Sequence, residues 1–125
     1  MSLPSPAISF VIPAYNAADT LSVTVRSLQA QTRPDWQAVI VDDGSADSTY
    51  QVAQDLAAQD PRIKVLTQKN GGVSAARNTG VEAAEAPYIC LLDADDWLDR
   101  QYIELMLAPL TKARRHLLFL SSRCR

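Results

Sequence analysis

Four short runs of near-continuous apolar character divide the chain: Ile8 to Ile12, Trp36 to Val41, Ile63 to Leu66 and Tyr88 to Leu92. Each is rich in β-branched or aromatic residues and bounded by Pro, Asp, Asn or Gly, which predicts strands. Strands that are apolar throughout, with no alternation, are covered on both faces, and that points to a parallel sheet. Segments of helical length separate them. Asp19 or Thr20 can cap a helix with Leu21, Val25 and Leu28 on its apolar face, ending before Pro34. A second helix is predicted from Asp47 or Ser48, burying Val52, Ala53, Leu56 and Ala57 and stopping before Asp60-Pro61. A third runs from about Val73 to Ala86, where Gly80 costs about 1 kcal/mol in helix propensity but permits close packing. Asp99 caps a fourth segment carrying Ile103, Leu105, Met106 and Leu107, interrupted by Pro109.

The order β-α-β-α-β-α-β-α predicts a doubly wound, mostly parallel α/β layer of about four strands with helices on both faces. At 125 residues and 47% hydrophobic, the chain suits one domain, and disorder is excluded. No internal repeat or linker interrupts it. Residues 111–125 form a basic tail, and the stretch LTKARRHLLFLSSRCR is assigned to no helix. Two cysteines, Cys90 and Cys124, provide neither a disulfide framework nor a metal-binding spacing, so a reducing cytosol is the expected compartment. No run approaches the roughly 18 apolar residues of a membrane span, and the start lacks the features of a signal peptide.

Charge is unevenly distributed. Residues 1–110 hold all 14 acids and seven of the 12 basic residues, a net −7, while the last 15 residues hold five basic residues and no acid. An acidic body argues against nucleic acid as the main partner. The tail could meet RNA or anionic lipid at the inner face of the membrane, although a solvated chain end is the plainer explanation.

The chemistry-bearing residues follow the strands: Pro13-Ala14-Tyr15-Asn16, Asp42-Asp43-Gly44-Ser45, Gln68-Lys69-Asn70-Gly71-Gly72 and Asp93-Ala94-Asp95-Asp96. Open α/β sheets bind ligands at the carboxyl ends of their strands, where strand order reverses. The connections at the opposite edge, Gln31 to Pro34 and Asp60 to Arg62, look like plain turns. In an extended segment residues two apart share a side, so Asp93 and Asp95 can face one ion, and hard oxygen ligands suit Mg²⁺ or Mn²⁺. The competing account is a helix cap with solvated acids. Of Asp42 and Asp43, one can make the turn while the other faces the cleft and accepts hydrogen bonds from a nucleobase or ribose; the competing account is a turn with an exposed Asp. Asn70 and Gly71, with Gly72, offer bare backbone beside a helix N-terminus, a setting for an anion or sugar, or else a simple loop. Arg77 is either a surface charge or a cation aimed into the cleft. His116 is expected to be inert. With neither a GxGxxG fingerprint nor a Walker A motif, the dinucleotide and P-loop alternatives drop out.

Taken together, ISFVIPAYN, VIVDDGSADST, NGGVSAARNTG and YICLLDADDWL resemble four successive signatures of the family 2 glycosyltransferases, in order and spacing, over roughly Ala7 to Leu107. The resemblance implies a GT-A, Rossmann-like half, with residues 1–110 as its nucleotide-sugar-binding part. It implies metal-dependent transfer of a sugar from a nucleoside diphosphate donor, such as a UDP-sugar, to an acceptor hydroxyl on a carbohydrate or lipid-linked acceptor, with inversion. By the same analogy Pro13, Ala14, Tyr15 and Asn16 line the nucleoside site, Asp43 contacts the base, Arg77 lies beside the nucleotide, and Asp93 and Asp95 form the DxD motif that holds Mn²⁺ or Mg²⁺, with Asp95 the direct ligand. Many members serve bacterial cell-surface polysaccharide synthesis.

The departure comes at the end. Members continue into an acceptor half that carries the catalytic base, whereas the last acid here is Glu104 and no residue matches the base. Donor binding without transfer is therefore expected of this chain, as a nucleotide-sugar binding fragment. The Tyr88 to Leu92 strand, lacking its neighbour from that half, is expected to become a sheet edge that invites a second copy of the chain, with the LLFL run of the tail as a partial cover. An alternative enzyme class, phosphohydrolases of the haloacid dehalogenase type, also places Asp-x-Asp after an apolar strand. Trp97 at the usual Thr or Val place, and the motif's position 93 residues into the chain, count against it.

Overall fold

The computed structural model describes residues 5–107 and the backbone of residues 116–118. The predicted alternation is present: β1 (Ile8–Ala14), α1 (Leu21–Gln29), β2 (Trp36–Asp42), α2 (Thr49–Gln59), β3 (Ile63–Thr67), α3 (Val73–Ala83), β4 (Tyr88–Leu91), α4 (Tyr102–Leu107) and β5 (His116–Leu118). All pairings are parallel, in the order β3-β2-β1-β4-β5. The chain thus steps outward from β1 to β3 and then crosses to the other side of β1, so the strand order reverses between β1 and β4.

Side chains alternate across the sheet. Ile8, Phe10, Ile12, Ala38, Ile40 and Cys90 pack with Leu21, Val25 and Leu28 of α1, Ala53 of α2 and Ile103 of α4 in one buried cluster. Val39 and Val41 pack with Ala76 of α3 in another. The two clusters account for strands that are apolar at every position. Ser9 and Gln37 are polar within this layer, buried and mutually bonded at 2.6 Å, and they accept the backbone N–H groups of Ala86 and Glu85 and so fasten the entry to β4.

Several local expectations change in the structure. Leu92 falls outside β4, and α3 ends at Ala83, three residues short of the predicted Ala86. Thr20 occupies the N-cap position of α1, but its hydroxyl reaches back to Ala17 O, 3.4 Å away, and caps nothing. Before α2 the capping acceptor is Asp47, whose Oδ1 accepts both the N–H and the hydroxyl of Thr49.

Two corrections are larger. Asp93 to Asp96 is not extended: the Asp96 N–H bonds to Asp93 O at 3.1 Å, closing a turn that brings Asp96 toward the two acids of the Asp-x-Asp pattern. Nor is β4 a sheet edge, because β5 pairs along it from Tyr88↔His116 to Cys90↔Leu118. The basis for a second copy adding at β4 is thereby removed, and the fifth strand comes from the stretch that the apolar pattern left unassigned. The rest of residues 108–125 lies outside the described residues, as do Cys124 and the remainder of the basic tail.

The turns at the N-terminal edge are firmly held. Arg62 grips Asp60 through two nitrogens, donates to Pro34 O at 3.2 Å, and lies 3.9 Å above the ring of buried Trp36. Close packing elsewhere depends on Gly80. A Cβ there would lie 2.3 Å from Val11 Cγ1 and 3.3 Å from Val41 Cγ2, both on buried strands that cannot yield. Gly80→Ala is therefore expected to destabilise despite its better helix propensity: overpacking at the upper end of about 3 kcal/mol, offset by about 1 kcal/mol, gives a net loss of about 2 kcal/mol. Chemical denaturation of the two proteins measures it, and equal midpoints would contradict the packing argument.

Candidate functional site

Because every strand points the same way, the loops after β1, β2, β3 and β4 share one edge. Hydrogen bonds join the first three in series. Asn16 adopts a left-handed conformation, φ 49°, donates its N–H to Ser45 Oγ at 2.9 Å and accepts the Ala46 N–H on its own Oδ1 at 2.9 Å. Asp42 closes the turn after β2, accepting the Ser45 N–H at 3.2 Å and the Thr67 hydroxyl at 3.1 Å. Gly44 sits in that turn at φ +72°, where a Cβ would meet the backbone N of Asn70 at 2.7 Å.

Asp43 connects the second loop to the third. Its Oδ1 accepts the Gln68 side-chain amide and the Gly71 N–H, both at 2.9 Å, and its Oδ2 accepts the Gly72 N–H at 3.0 Å. The Asn70 side chain completes the link by donating to Asp43 O at 3.0 Å. Burial by itself would push the Asp43 carboxyl upward, but the Gly71, Gln68 and Gly72 bonds outweigh it and hold the group below the ordinary carboxylate range. Of the adjacent pair, then, Asp42 makes the turn and Asp43 organises the glycine loop, and both are buried.

A cleft of about 290 Å³ opens above these loops. Its walls are Pro13, Ala14 and Tyr15 after β1, Asp43 after β2, and Asn70, Gly72, Val73 and Ala76 around the start of α3. Tyr15 and Val73 are each about half exposed there. Of the other residues singled out from the sequence, Asn16 is bonded to Ser45 and Ala46 and Gly71 to Asp43, beside these walls. Arg77 follows Ala76 on α3, and its Nη2 lies 3.6 Å from Asp93 Oδ1, so it bridges the cleft to the loop after β4. Arg77 Nε is buried with no hydrogen-bond partner. A larger depression of about 1230 Å³ lies at the opposite edge of the sheet, around Trp36 and Arg62, away from all four loops.

The carboxylate oxygens of Asp93, Asp95 and Asp96 come within 4.8 Å of one another, with Asp93 and Asp95 exposed. Three hard oxygen donors at that spacing fit a divalent cation of the Mg²⁺ or Mn²⁺ kind. Asp96 enters the set only because the segment turns. Thr24 is a further residue that the motifs did not reveal. It is fully buried, on the apolar face of α1 among Leu21, Val25 and Leu28, and it contacts the backbone of this same turn. A polar residue on an otherwise apolar helix face was the signal available in the sequence.

An all-parallel sheet with a cleft and a carboxylate turn on either side of its switch point defines a GT-A-type, Rossmann-like fold. The model of the family "Glycosyl transferase family 2" matches residues 9–123, and the chain belongs to that family. Chondroitin synthase from Escherichia coli is 39% identical over 107 residues, covering 86% of this chain and 16% of that protein. Glycosyltransferase GlyA of Streptococcus pneumoniae is 34% identical over 99 residues, covering 79% and 14% respectively. The crystal structure of S. aureus TarS 1-349 in complex with UDP-GlcNAc superposes with a TM-score of 0.78 at 27% identity, over 84% of this chain and 31% of that one. The chain thus spans 11% to 41% of the length of these and other curated relatives. Between the two enzyme classes compatible with Asp-x-Asp after a strand, membership of the family decides for the glycosyltransferase. Among the described residues no helix is long and apolar enough to cross a membrane.

The Asp43 clamp has a consequence for acid stability. A carboxyl held below its unfolded value of about 3.9 contributes in full above that pH, and the contribution is lost as pH falls through the folded value. At Asp60, too, the upward push of burial is outweighed by bonds from Arg62 and Gln29. Stability should therefore fall steeply below about pH 4. Asp43→Asn, which sets an amide against the Gly72 N–H, should cost about 2 kcal/mol at neutral pH and flatten the acid limb. Urea melts from pH 3 to 7 measure both effects, and an unchanged acid limb in the variant would rule out the clamp.

Proposed function

We propose that this chain forms the donor-binding part of an inverting, metal-dependent glycosyltransferase that uses a UDP-sugar. The observation that carries the proposal is the Arg77 bridge: one side chain joins α3, whose first turn walls the cleft, to the loop that bears three clustered carboxylates. A nucleoside diphosphate has the same layout, an aromatic base at one end and a charged diphosphate at the other. In this scheme the exposed Tyr15 ring offers a stacking face to the base, while Pro13, Ala14, Asp43 and Asn70 shape the nucleoside end. Gly72 opens α3 at φ 94° with no side-chain cap, so that beyond its own N–H, which Asp43 accepts, the first turn of the helix offers a place for an anionic group. The UDP-GlcNAc held by TarS, a relative in fold at 27% identity, supports a uridine donor.

Asp93, Asp95 and Asp96 are the residues that would hold Mn²⁺ or Mg²⁺, whose chemistry there is to neutralise the diphosphate as it departs from the sugar. Arg77 orients Asp93 and adds positive charge on the same side. The acceptor, a carbohydrate or lipid-linked hydroxyl, and the base that deprotonates it belong to the rest of the reaction and are assigned to no residue here. A cytoplasmic setting at the inner face of the membrane suits a soluble nucleotide donor and a lipid-linked acceptor.

The test is ligand-induced thermal stabilisation of the purified chain. With Mn²⁺, UDP at 100 times its dissociation constant should stabilise by about 2.7 kcal/mol, a shift of several degrees, and EDTA should abolish the shift. Asp95→Ala should remove the metal-dependent component while apo stability stays the same or rises, since crowded like charges are relieved. Identical UDP shifts with and without EDTA would refute the metal's role, and a UDP shift matched by every other nucleotide would refute the uridine assignment.

A further inference from the structure

The turn that carries the three acids is anchored to a helix as well as to its own strand. Thr24 Oγ1, fully buried on α1, lies 2.9 Å from Ala94 O and 2.6 Å from Asp96 O. Those two carbonyls flank Asp95 on either side. The hydroxyl also stands 3.4 Å from Thr20 O, the bond a helical threonine makes within its own helix, but the contacts to the turn are shorter. The attachment continues just past the C-terminal end of the same helix. Gln31 Nε2 donates to Asp99 O at 2.6 Å, Gln31 Oε1 accepts the Ile103 N–H at 3.0 Å, and the Thr32 N–H donates to Arg100 O at 2.9 Å. Ala94, between two exposed acids, is itself sunk into the core cluster.

We infer that Thr24 is a positioning residue for the cation site: its one hydroxyl proton, shared between the carbonyls on both sides of Asp95, sets the turn in which Asp93, Asp95 and Asp96 converge. This rests on the proposed role of those acids as cation ligands. Groups that touch no ion but orient its ligands commonly control affinity by tenfold or more. Here the mechanism is specific. Without the hydroxyl, both carbonyls lose this bond to α1, and the turn can relax toward the extended form in which Asp96 leaves the set. Threonine is required on this account for its hydroxyl and not for its shape, so serine should serve and valine should not.

The experiment titrates the full 125-residue chain with Mn²⁺ alone, following the loss of the free-ion signal by electron paramagnetic resonance well below the melting temperature. The native chain should bind Mn²⁺, Asp95→Ala should not, Thr24→Val should bind about tenfold more weakly, and Thr24→Ser should remain within about twofold of the native value. Melting curves in EDTA establish that each variant is folded at the titration temperature. Should Thr24→Val not fold, Thr24→Ala, which removes the hydroxyl and adds no bulk, is expected to show the same weakening. Native-like affinity in the valine or alanine variant overturns the inference and leaves the cation assignment standing. Serine as weak as valine overturns it as well, because shape and not the hydroxyl would then govern. Absence of Asp95-dependent binding in the native chain overturns both.

Discussion

Parallel pairing on both sides of β1 is the constraint from which the rest of the molecule follows. β1 lies against β2 over seven residue pairs, from Ile8↔Trp36 to Ala14↔Asp42, and against β4 over four, from Ile8↔Tyr88 to Val11↔Leu91. With both neighbours running the same way, their carboxyl ends and the loops that follow must meet at one edge. With the chain leaving β1 in one direction first and the other afterwards, the crevice of the switch point opens there. Slippage is prevented because a one-residue shift would swap the faces that pack on α1 and α2 with the face that packs on α3. The second face admits α3 only as closely as Gly80 permits.

That edge becomes a site through bonds that tie its loops to one another and to the helices α1 and α3. Asn16 is held by Ser45 and Ala46, Asp43 holds Gly71 and Gly72, Arg77 meets Asp93, and Thr24 reaches Ala94 and Asp96. Each loop is tied to a neighbour distant in the chain. The carboxylates divide accordingly. Asp42 and Asp43 are buried, and a charge removed from water needs its lone pairs filled from within; their donors come from the protein. Asp93 and Asp95 are exposed, so solvent sustains their charge and they are available to a ligand.

The same division of labour explains why the cleft lies at this edge, while among the described residues the larger depression at the other edge contributes no comparable cluster. At the N-terminal edge Arg62 is consumed by Asp60, Pro34 and the Trp36 ring. Charge there closes the fold. At the carboxyl edge the glycine loop, the half-exposed Tyr15 and the acid turn are braced from behind and open in front.

By itself the sequence determined the element types and their order, the parallel sheet, the edge at which the polar loops gather and the family, because apolar runs, caps and Asp, Asn and Gly after strands are local signals that the chain carries at fixed spacing. It also identified Asp43, Asn70, Arg77, Asp93 and Asp95 as residues of interest. Only the tertiary structure decided what each of them does to its neighbours. That Asp43 faces inward to Gly71 and Gly72, that Asn16 bonds to Ala46, and that Thr24 and β5 belong to this arrangement all depend on partners 28 to 72 residues away in the chain. A three-residue strand such as His116–Leu118 has too little pattern to read alone and exists because β4 offers it an unpaired edge. A hydroxyl on an apolar helix face has no meaning until the backbone it bonds is brought against it.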